Sequence, residues 1–173
     1  ELKPECMEDI LAGNALYRPG PMDFIPQYIE GKNNRDSIVY DCPQLEPILA
    51  PTYGCIVYQE QVMQIVRSLA GYSFGRSDLV RRAMAKKKEK VMEAERQNFV
   101  YGNKAEGVKG CIANGISEEV ANKIYNEMID FAKYAFNKSH AAAYAVVSYQ
   151  TAYLKCHYPI EFMAALMTSV RDN

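Results

Sequence analysis

The chain has 173 residues, of which 49% are hydrophobic and 24% charged, with a formal net charge of −1. That length can bury a real core, no stretch reaches the roughly 18 uninterrupted apolar residues of a membrane span, and the opening Glu1-Leu2-Lys3-Pro4-Glu5 lacks the apolar centre of a signal peptide. The absent initiator Met points to a piece of a longer chain. Five cysteines (Cys6, Cys42, Cys55, Cys111, Cys156) form no C-x-x-C pair, so they read as reduced, mostly buried thiols of a cytoplasmic protein.

In chain order, Cys6 to Ala15 predicts a short helix, with Met7, Ile10 and Leu11 on one side. Leu16-Tyr17-Arg18-Pro19-Gly20-Pro21 follows as a rigid turn, because two prolines fix φ on either side of a glycine. Arg18 at its entrance reads equally as a functional hand or as a pin for nearby carbonyls. Met22 to Glu30 predicts a second amphipathic helix closed by Gly31, and Lys32 to Pro51 a loop with one helical turn near Leu45 and Leu49. Tyr53 to Tyr58 reads as a short extended piece. Val62, Ile65, Val66 and Leu69 then hold the i, i+3, i+4, i+7 positions of a buried helical stripe ended by Gly71.

The next stretch organises the rest. Ser77 or Asp78 is expected to cap a helix with Val80, Met84 and Val91 on one apolar side, Leu79 and Ala83 beside them, and Arg81, Arg82, Lys86 and Lys88 pointing away. Lys87 falls back over the stripe, where the helix should fray or bend. Such runs are often only solvated faces. Here, however, residues 61–110 carry eleven basic and five acidic side chains, against four and ten in residues 1–60. A near-neutral chain that gathers its positive charge in one segment is built for a polyanion, and phosphate fits best.

A charged helix from Glu89 breaks near Gly102, Gly107 and Gly110, and Asn114-Gly115 leads into a helix burying Ile116, Val120, Ile124, Met128 and Phe131. Asn137 or Ser139 can cap a helix running through Leu154. Its start, with Lys138, Ser139 and His140, is suited to phosphate or ribose oxygens, with a structural histidine the competing reading. Pro159 opens a last helix that should bury Phe162, Met163, Leu166 and Met167. The fold class is therefore mainly α, with little or no β-structure. Neither a Walker loop nor a zinc cluster occurs, and no closely spaced aspartate pair offers a two-metal site.

Four stretches carry a family likeness: Ala15-Leu-Tyr-Arg-Pro-Gly-Pro-Met22, Tyr53-Gly-Cys-Ile-Val-Tyr-Gln-Glu-Gln-Val-Met63, Asp78-Leu-Val-Arg-Arg-Ala-Met84 with its lysines, and Phe136-Asn-Lys-Ser-His140 through Ser148-Tyr-Gln150. Together they resemble the fingers domain of the bacterial DNA polymerase III alpha subunit, over essentially the whole chain. The resemblance implies one multi-helix fingers domain over residues 1–173, with sub-lobes near 1–75 and 76–173. It implies that Arg81 and Arg82 grip the triphosphate of an incoming deoxynucleotide and that Asn137, Lys138, Ser139 and His140 lie near it. Lys86, Lys87 and Lys88 are expected to follow DNA phosphate, and Arg18 sits in a motif without an assigned task.

The same resemblance implies primer–template DNA and deoxynucleoside triphosphates as partners, with other replicase subunits and no membrane, in the cytoplasm at the nucleoid. The metal-binding aspartates and their Mg2+ are expected in a palm domain upstream, which leaves no catalytic or metal-binding residue here and predicts an inactive fragment. Ala85 and Ala135 stand where relatives often have Gly. The alternative is a standalone helical nucleic-acid-binding or scaffolding module without catalysis.

Overall fold

A computed structural model describes residues 2–86, 89–132, 134 and 136–171. Among them run nine α-helices: α1 (Met7–Leu16), α2 (Ile25–Asn33), α3 (Glu46–Leu49), α4 (Gln59–Ala70), α5 (Phe74–Ala85), α6 (Glu89–Tyr101), α7 (Glu118–Ala132), α8 (Lys138–His157) and α9 (Pro159–Val170). Short 3-10 turns connect several of them, and no strand occurs among the described residues. The extended piece expected at Tyr53 to Tyr58 makes only an isolated parallel bridge, Tyr58 to Phe136.

Two hydrophobic cores result. The larger is built on the stripe of α4: Val62, Ile65, Val66 and Leu69 are buried against Val80 and Met84 of α5, Phe99 of α6, and Ile124 and Met128 of α7. Each such side chain withdrawn from water stabilises by about 2 kcal/mol. Gly71 closes α4 with φ of 74°. The smaller core joins Leu11, Ala12, Ala15 and Leu16 of α1 to Tyr28, Val57, Tyr58, and Ala141 and Ala145 of α8. The small alanines let α8 lie close on α1. The start of α4 sits between the cores, since Tyr58 belongs to one and Val62 to the other.

Several sequence expectations are corrected. The cap of α5 is Ser73, whose Oγ accepts from the Arg76 N–H at 3.3 Å, one turn before the expected start. Ser77 is buried inside the helix and donates to the Phe74 carbonyl at 2.7 Å. Gly75 is therefore helical, and the side chain of Leu79 is exposed. Val91 belongs to α6 and is exposed rather than completing the α5 stripe. Gly31 does not end α2, which continues to Asn33; a Cβ there would lie 2.6 Å from the Tyr53 carbonyl oxygen, so glycine permits that approach. Gly20, at φ of 99°, serves the Pro-Gly-Pro turn similarly, because a Cβ would meet the Tyr134 ring at 2.5 Å.

The last helix forms where expected, but its apolar side chains are not buried: Met163 and Leu166 are nearly half exposed and Met167 is more so. Cys42, Cys55 and Cys111 are buried, whereas Cys6 and Cys156 are exposed. Ala85 ends α5 in helical backbone, where alanine is favoured over glycine. Ala135, Lys87 and Lys88 lie outside the described residues.

Candidate functional site

The start of α5 is fastened before its arginines appear. Arg76 reaches the Glu95 carboxylate of α6 at 2.7 Å and also pairs with Glu106, while the Tyr72 hydroxyl donates to Glu95 at 2.9 Å. Five residues on, Arg81 is half-buried and directed. Its Nε and Nη2 donate to Asp78 Oδ1 at 2.9 and 2.7 Å, and its Nη1 donates to Gln59 Oε1 of α4 at 2.8 Å. Arg82 donates to the other Asp78 oxygen at 2.7 Å but is 62% exposed. One carboxylate thus holds both guanidiniums, and the hydrogen bond from Arg81 keeps it below the usual carboxylate range. Both pairs lie within one helix, at i,i+3 and i,i+4, a class that contributes little to stability.

An open hollow of about 490 Å³ lies between α4, α5 and the entry to α8, lined by Gln59, Glu60, Met63, Gln64, Arg67, Phe74, Asp78, Arg81 and Asn137. Arg81 and Asn137, far apart in the chain, meet there. Its charged lining is two guanidiniums and two carboxylates, and Arg67 lies over the Phe74 ring at 5.6 Å.

Asn137 caps α8, its Oδ1 accepting from the His140 N–H at 2.8 Å. Glu60 faces the same helix end, accepting from Asn137 Nδ2 at 2.8 Å and from the Lys138 N–H at 3.0 Å. The Lys138 ammonium turns aside to Glu8 at 3.2 Å and lies over the Tyr58 ring at 5.4 Å. It lines a separate hollow of about 170 Å³. Ser139 is exposed, and the exposed His140 ring packs between Phe136 and Tyr144, with centroids 5.3 and 4.7 Å away.

Arg18 pins the segment that leads into α8. Its Nε donates to the Ala15 carbonyl at 3.0 Å and its Nη2 to the Tyr134 carbonyl at 2.7 Å, with the guanidinium over the Phe136 ring at 4.4 Å. Lys86 is exposed just past the end of α5. The structure therefore brings Arg81 and Asn137 onto one hollow, which Arg82, Lys86 and Lys138 do not line. The sequence does not mark Gln59 and Glu60 as site residues, although both lie in the Tyr53–Met63 motif. Apart from that motif their signal is a polar run at the first turn of an amphipathic helix, because each partner is distant in the chain.

Among the described residues no three His, Cys, Asp or Glu side chains gather as a metal site. No helix among them is long and apolar enough to cross a membrane.

Residues 1–107 match the family model of the bacterial DNA polymerase III alpha subunit finger domain. The chain is 52% identical over 170 residues to DNA polymerase III subunit alpha of Halalkalibacterium halodurans, covering 98% of this chain and 14% of that protein. It is 52% identical over 179 residues to the Pasteurella multocida subunit, covering 99% and 15%, and 51% identical over 177 residues to that of Thermus aquaticus, covering 99% and 14%. This chain thus spans about a seventh of the length of these relatives. The chain belongs to the bacterial DNA polymerase III alpha subunit finger domain family.

Proposed function

We propose that this chain is the part of a template-directed DNA polymerase that grips the incoming deoxynucleoside triphosphate, with Arg81 and Arg82 on its phosphates and Asn137 to His140 beside it. The observation that carries this is the meeting of Arg81 and Asn137 on one open hollow. Phosphoryl transfer asks a protein mainly for positioning and charge neutralisation. A guanidinium supplies both, as a planar fork of donors that cannot lose its charge. Asp78 now occupies that fork with carboxylate oxygens, so it displays the geometry in which phosphate oxygens would be held. Because the pairs are local and partly solvated, exchanging Asp78 for a polyphosphate sacrifices little.

The whole enzyme is proposed to act in DNA replication in the bacterial cytoplasm, on primer–template DNA and together with other replicase subunits. Its divalent metal is held by residues beyond this chain. Exposed Lys86, with Lys87 and Lys88, follows DNA phosphate. The reading is tested in a full-length alpha subunit bearing this segment. Arg81→Ala and Arg82→Ala should each lower nucleotide incorporation by roughly two orders of magnitude, the scale of one preorganised charge donor. Near-normal turnover in both variants would refute it.

A further inference from the structure

Gln59 and Glu60 touch both halves of the hollow from one place. They are adjacent in the first turn of α4, at the junction of the two cores. Gln59 Oε1 accepts from Arg81 Nη1 at 2.8 Å, and the Gln59 N–H donates to the Phe136 carbonyl at 3.0 Å. Glu60 holds Asn137 Nδ2 at 2.8 Å and the Lys138 N–H at 3.0 Å.

Asp78 cannot do this work. It rides on the same helix as Arg81, so its bonds to the guanidinium cannot fix that group against the rest of the molecule. The Gln59 contact supplies that reference, and Glu60 carries it to the end of α8. The residue types fit the task. A neutral amide holds a guanidinium without cancelling the charge that phosphate needs, whereas a carboxylate at position 59 would compete with the ligand. At position 60 a carboxylate is favoured, because it faces the positive end of the α8 dipole.

We propose that Gln59 and Glu60 form a two-armed brace that fixes Arg81 relative to Asn137, making them positioning residues for nucleotide binding. This rests on the reading that Arg81 grips the nucleotide, and the experiment separates the two ideas. In a full-length alpha subunit bearing this segment, KM and kcat for deoxynucleotide are measured for Gln59→Ala, Arg81→Ala and the double variant, with Tm as a folding control.

Gln59→Ala should raise KM by about tenfold, the size of one lost hydrogen bond to a charged group, with a smaller change in kcat. In the Arg81→Ala background the same substitution should add less than about twofold, since residues acting through one another are not additive. Glu60→Ala should raise KM similarly, and Glu60→Gln should recover part of the loss. If an alanine variant fails to fold, Gln59→Glu decides: the contact is retained, so Tm holds, but the added charge should still raise KM. An effect of Arg81→Ala on KM without one of Gln59→Ala or Gln59→Glu, or two effects that simply multiply, would overturn the brace and leave the grip standing. An unchanged KM in Arg81→Ala would overturn both.

Discussion

Two aspartates in this molecule each answer to cations, and their settings differ in a way that separates folding from binding. Asp9 is 1% exposed and pairs with Lys32 at 2.9 Å, whose side chain is only 7% exposed. It also accepts from the Glu5 N–H at 2.9 Å and from the hydroxyls of Tyr28 and Tyr53 at 3.2 and 3.3 Å. Asp78 is 24% exposed and serves two arginines on its own helix, one of them 62% exposed. Chain-distant partners gathered on a buried carboxylate make the first pair part of the fold. Near neighbours in a wet setting leave the second free to be exchanged for a ligand.

Removing Asp9 should have the largest effect on stability. Asp9→Ala removes the buried carboxylate that gathers Lys32, Tyr28, Tyr53 and the Glu5 N–H and leaves the Lys32 ammonium only the Leu2 and Lys3 carbonyls. Unfolding should therefore become easier by about 3 kcal/mol or more in a denaturant titration. A loss under about 1 kcal/mol would erase the contrast. The pH dependence sharpens it. Burial alone would raise the Asp9 pKa, but the bonds from the Glu5 N–H and Lys32 prevail and hold it below the ordinary carboxylate value of 3.8. A carboxyl depressed in the folded state contributes fully above its unfolded pKa and loses that contribution as pH falls through the folded one. Wild-type stability should therefore drop below about pH 4 more steeply than that of Asp9→Ala.

Asp78→Ala should barely move Tm, because its pairs are local and partly solvated. If the carboxylate is a stand-in for phosphate, its removal should lower the KM for deoxynucleotide by a few-fold as a competing anion disappears. A tenfold rise would mean instead that Asp78 aligns the arginines for the ligand. Smallest of all, Lys86→Ala in the full-length subunit should reduce the slope of log DNA affinity against log salt by about 0.7 if it meets single-stranded template phosphate. An unchanged slope would remove Lys86 from the DNA path.

Legibility followed the range of the interactions. The stripe of α4 was plain because Val62, Ile65, Val66 and Leu69 are set by local periodicity and find partners within the chain. Met163, Leu166 and Met167 of α9 show a similar pattern yet stay exposed, since periodicity specifies a face and not what covers it. The start of α5 is ambiguous in the sequence because Ser77-Asp78 and Ser73 all have capping chemistry. Only tertiary packing, which buries Ser77, decides between them. Arg81 was legible as a cation on a helix face, but its partner Gln59 was not, and neither was Glu60 at the α8 end. Those contacts join residues that no local pattern relates.

The account stands most directly on nucleotide affinity, measured in a stalled complex of full-length subunit, terminated primer–template and the next correct deoxynucleotide. Arg81→Ala should weaken nucleotide binding at least about tenfold while primer–template affinity is unchanged. Equal nucleotide affinity in the two proteins would contradict it.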